Sequence, residues 1–75
     1  MNLREALAAA KQRIDDLFAS ETPRNVRLEQ FLYDDHLGVW TLTIGFALQG
    51  SPETRNYKIV RVMEADKSVL SIADR

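Results

Sequence analysis

Cysteine is absent from this chain, glycine occurs three times and proline twice. Without cysteine, neither a disulfide nor a thiolate metal site can reinforce the fold. A chain of 75 residues buries only about 60–65% of the surface that its unfolded state exposes. A single domain is expected, with extra stability coming from well-patterned packing, a partner subunit or a bound ligand. An excess of one charge is also lacking: 10 Lys and Arg stand against 11 Asp and Glu, a net charge of -1. No global field draws such a chain to nucleic acid or to an anionic membrane. Long apolar runs are missing too, since Arg4, Glu5, Lys11, Arg13, Asp15 and Asp16 interrupt the first twenty residues. That leaves no membrane span and no apolar leader segment there, and the expectation is a cytoplasmic protein.

What is present is a change of period. Leu3, Leu7, Ala10, Ile14 and Leu17, widened by Phe18, recur at helical spacing and predict an amphipathic helix over about 3–19. Asn2 is placed to cap it, with Glu5 three residues on to bond back. Ser20, Thr22 and Pro23 end it. Beyond Pro23 the period falls to 2 and β-branched and aromatic residues become frequent, predicting strands over about 26–33, 39–48, 55–64 and 69–73.

On the first strand Val26 and Leu28 fall on one parity, Phe31 and Tyr33 on the other. Either both faces are partly covered or a bulge near Glu29–Gln30 realigns it. The second strand is clearest, with Trp40, Leu42, Ile44, Phe46 and Leu48 forming one apolar face. Short connections favour an α+β fold: one N-terminal helix packed on one face of a four-stranded antiparallel meander.

Parity then locates an uncovered surface. If Val60 and Val62 face the helix with Leu70 and Ile72, then Tyr57, Ile59, Arg61 and Met63 point the other way, beside Val39 and Val69. One helix covers one side of a sheet, so this second face is expected to be an exposed protein interface. The chain is therefore expected to work by homodimerisation or by association with another protein, with Tyr57, Ile59 and Met63 central and Arg61 as an anchor.

No catalytic or metal constellation is expected. Asp34, Asp35 and His36 are consecutive in a predicted turn, where Asp bonds nearby amides, and three adjacent residues do not converge on one ion. The serines lie outside any nucleophile elbow, and Gly38, Gly45 and Gly50 are too scattered for a phosphate loop. Neither an enzyme nor a cofactor is anticipated. Arg24, Arg27, Arg55, Lys58 and Arg61 form a second candidate group. With Tyr33 and Tyr57 they fit a single-stranded nucleic-acid platform. Their simpler role is edge protection balanced by Glu29, Glu53 and Glu64, which is favoured because nucleic-acid binders show a basic excess. Trp40, opening the most apolar strand, is assigned to the core.

The stretch from Tyr57 to Ile72, a tyrosine, alternating apolar residues, a short acidic turn and then Val69-Leu70-Ser71, resembles the terminal hairpin of PepSY-type domains. Trp40-Thr41-Leu42-Thr43-Ile44 is similar to the middle strand of such a module. The resemblance implies a helix on an antiparallel sheet and a role in binding or inhibiting a protein partner, often a peptidase. Members of that family are commonly extracytoplasmic and often have Gly at the hairpin turn, where this chain has Lys67. No catalytic residue carries over.

Overall fold

The computed structural model describes residues 2–75. Helix α1 (Leu3–Leu17) is followed by a 3-10 turn (Ala19–Glu21) and by four strands: β1 (Pro23–Asp34), β2 (Val39–Leu48), β3 (Ser51–Met63) and β4 (Val69–Asp74). All neighbours are antiparallel and the order is β1-β2-β3-β4, the anticipated meander. No helix among the described residues is long and apolar enough to cross a membrane.

The helix begins as the sequence predicts. The Asn2 side chain accepts from the Glu5 amide at 2.9 Å and the Glu5 carboxylate accepts from the Asn2 amide at 3.1 Å, so two otherwise orphaned donors are satisfied. Its buried stripe, however, is Ala6, Ala10 and Ile14, with Leu3, Leu7 and Phe18 alongside, whereas Leu17 is 55% exposed. Alanine at the contact lets the helix axis approach the sheet, with Leu3 and Leu7 packed partly buried beside it. The helix also stops two residues early, because Phe18 leaves helical geometry and places its ring 5.2 Å from that of Phe46. Leu42, Ile44, Phe46, Val60 and Val62 complete the core, all fully buried.

The strands run longer than their patterning implies, through irregularities that carry the non-alternating residues. In β1 the pairing shifts between Arg24 and Arg27, where Asn25 takes a φ of 54°, and again between Leu28 and Gln30. The second shift is the bulge anticipated from parity. It brings Leu28, Phe31 and Tyr33 opposite Ile44, Leu42 and Trp40, all on the helix side. The segment 49–54, expected as a loop, is mostly strand: Leu48 pairs with Ser51, and Pro52, Glu53 and Thr54 are accommodated between that pair and Ala47–Arg55. Proline is tolerated in β3 because it sits at this irregularity.

A third shift, between Arg61 and Val62, corrects the last strand. Val62 pairs with Val69 and Arg61 with Ser71, leaving Leu70 as the extra residue. Val69 therefore packs on the core and Leu70 is 49% exposed, the reverse of the expectation.

Candidate functional site

The sheet face turned away from α1 is built from cross-strand rows. From the β1–β2 turn downward these are Asp34–Val39–Met63, Leu32–Thr41–Arg61, Gln30–Thr43–Ile59, Arg27–Gly45–Tyr57 and Arg24–Ala47–Arg55. Residues directly opposite one another share a face. One surface thus collects Arg24, Arg27, Arg55 and Arg61 with Tyr57, Ile59 and Met63. Four of the five cations picked out in the sequence come together here. Lys58 does not: it lies on the helix side, 5.7 Å from the Phe18 ring centroid and in contact with Asp74. Strand alternation makes that separation unavoidable, because Lys58 pairs with Ile44. Tyr33 is likewise on the helix side, its ring 4.7 Å from that of Trp40.

A fifth cation was missed by sequence reasoning. Arg75 donates its amide to the Tyr57 carbonyl and sets its guanidinium 4.9 Å from the Tyr57 ring centroid. The signal available was only its distance from the end of the last strand, too weak to place it.

The lower part of the face is held by contacts across β2. Arg55 Nη1 donates to the Asn25 carbonyl at 3.0 Å, so the bulge that turns Asn25 to positive φ also anchors the arginine. Arg55 Nη2 is buried without a hydrogen-bond partner among the described residues, 3.9 Å from Glu29 Oε2. The space these groups occupy exists because residue 45 is glycine: a Cβ there would lie 2.9 Å from Arg55 Nη2 and 3.1 Å from both Glu29 Cγ and Tyr57 Cε1. Small residues on β2, flanked by long ones on β1 and β3, become roofed over. Hence Thr43 is 8% and Ala47 2% exposed although no second layer covers them.

The expected interface is accordingly less apolar than predicted. Tyr57, Ile59 and Met63 are half-buried by their neighbours, Val39 is 5% exposed and Val69 is on the other side, while Arg24, Arg27 and Arg61 are exposed. The surface is an arginine field with an apolar centre. Its carboxylates are few: Glu29 lies beside Arg55, Glu53 is in the neighbouring irregularity, and Asp34 Oδ1 accepts from the His36 and Leu37 amides. Those last bonds are the turn chemistry assigned to Asp34-Asp35-His36.

On the helix side, the Tyr33 hydroxyl bonds to the Glu64 carboxylate, which raises the tyrosine and lowers the glutamate from their ordinary values. No family model, curated protein or solved structure matches the chain.

Proposed function

We propose that this protein is a non-enzymatic binding module whose open sheet face docks an acidic surface of another protein. The observation that carries this reading is the gathering of Arg24, Arg27, Arg55, Arg61 and Arg75, five of the ten Lys and Arg residues, on one face of a chain with a net charge of -1. An apolar centre of Ile59, Met63 and Tyr57 surrounded by exposed arginines has the anatomy of a protein interface, where aromatic residues, Met and Arg are enriched. The same charges disfavour self-association through this face: packing two copies face to face would set arginine against arginine in a desolvated contact. The resemblance of the C-terminal hairpin to PepSY-type domains points toward a protein partner as well.

A second reading, binding of single-stranded nucleic acid, is favoured by the shared face of Arg24, Arg27, Arg55 and Arg61. Against it, base stacking requires free aromatic faces, and the aromatic ring here, Tyr57, already carries the Arg75 guanidinium. Titration with a labelled polyglutamate peptide and with an oligothymidylate tests both. The protein reading expects salt-sensitive binding of the peptide, abolished by Arg27→Glu with Arg61→Glu and unaffected by Arg4→Glu on the helix. Tighter binding of the oligonucleotide favours the second reading, and binding of neither probe defeats both.

A further inference from the structure

We infer that the protein forms a two-fold dimer by antiparallel pairing of the outer edges of β1, centred on Leu32. The two edges of the sheet are β1 and β4. β4 is six residues long and broken by the extra residue Leu70, two devices that discourage pairing with another strand. The first half of β1 is protected in the same way, by two irregularities and by Arg24, Arg27 and Glu29. Between Glu29 and Asp34 the edge lacks these devices. Gln30, Phe31, Leu32 and Tyr33 run in unbroken register with β2, carry no charge and include no proline. Phe31 is 53%, Leu32 66% and Tyr33 37% exposed. These side chains lie at the margin of the sheet, Phe31 and Tyr33 on the helix side and Leu32 on the other face.

The occupant is a second copy because the segment is complementary to itself. A two-fold axis perpendicular to the sheet brings each residue opposite one on the same face, so the axis has to pass beside a residue that then pairs with its own copy. Centred on Leu32, Leu32 meets Leu32 of the second copy, Phe31 meets Tyr33 in both directions, and Gln30 meets Asp34. Every exposed apolar side chain of the segment finds an apolar neighbour. Centred on Phe31, Tyr33 would face the irregularity at Glu29; centred on Tyr33, Leu32 would face Asp34.

The area fits a weak, transient dimer. Phe31, Leu32, Tyr33 and the adjacent Leu37, itself 57% exposed, together offer roughly 400 Å² per copy. That is half of the about 800 Å² per partner of a standard interface, and the peptide edge contributes more. Micromolar dissociation is the expected result. The product is a continuous eight-stranded sheet with both helices on one side and both arginine fields on the other. It does not depend on what those fields bind.

Sedimentation velocity of the intact chain from low to high micromolar concentration tests the inference. The native protein is expected to shift from monomer to dimer mass. Leu32→Lys, at a position already exposed, is expected to remain monomeric with an unchanged circular dichroism spectrum, and Leu17→Lys on the helix to dimerise like the native chain. Because the chain has no cysteine, Leu32→Cys is expected to yield a covalent dimer on mild oxidation and Leu70→Cys, on the other edge, far less. A native chain that stays monomeric throughout overturns the inference, as does a dimer that survives Leu32→Lys.

Discussion

At Gly45 the missing side chain is what matters. Its backbone is not in the left-handed region, so the need for glycine there is one of space, set by Arg55, Glu29 and Tyr57 leaning over β2. Gly45→Val is expected to destabilise the protein by about 1–3 kcal/mol through overpacking and to displace Arg55 and Tyr57, measured by chemical denaturation and by tyrosine fluorescence. Lys67 presents the opposite case. It sits at a φ of 63°, a conformation costing a residue other than glycine about 1–2 kcal/mol, and its ammonium lies 3.1 Å from Glu5. Since exposed ion pairs contribute little, Lys67→Gly is expected to raise the melting temperature.

Two exposed carboxylates add a small contribution to the acid limb of stability. Glu5 is held below its ordinary value by hydrogen bonding to Lys67 and to the Asn2 amide, and Asp66 by hydrogen bonding to Ser68. A carboxylate with a depressed folded-state pKa stabilises the fold above its unfolded value, and that contribution is lost as pH falls through the folded value. Melting temperature should therefore decline below the ordinary carboxylate range, and Glu5→Gln should flatten the decline.

Among the elements, α1 and β2 were legible because each satisfies one period without interruption. Asn2, Glu5 and the apolar spacing all indicate the same helix, and Val39–Leu48 alternates without a break. Asn2→Ala, which removes the cap, is expected to cost about 1 kcal/mol in a thermal or urea melt. β1, β3 and β4 were harder to read because each contains an irregularity that resets parity. At Glu29 the clash of parities was itself visible, so the bulge could be anticipated. At Leu70 nothing local betrays it: Val69 and Leu70 are both apolar, and either could face the core. The choice of Val69 follows from pairing with Val62, a contact between distant parts of the chain. The same limit applied to the site. Alternation alone gathers Arg55, Tyr57 and Arg61 and sends Lys58 to the other face, but joining Arg24 and Arg27 to them and adding Arg75 required the register and the chain end.

For the molecule as a whole, charge distribution says more than total charge. A net charge of -1 conceals a sheet face rich in arginine, whose central Tyr57, Ile59 and Met63 are half-buried. Exposed apolar side chains lie along the outer edge of β1, where Phe31 and Tyr33 point to the helix side and Leu32 to the arginine side. Amide chemical-shift mapping during titration with a polyglutamate peptide tests the proposed docking on the arginine face most directly. Shifts concentrated at Arg24, Arg27, Tyr57, Ile59 and Arg61, and fading as salt is added, are the predicted result. Shifts confined to the outer face of α1, or none at low salt, would contradict it.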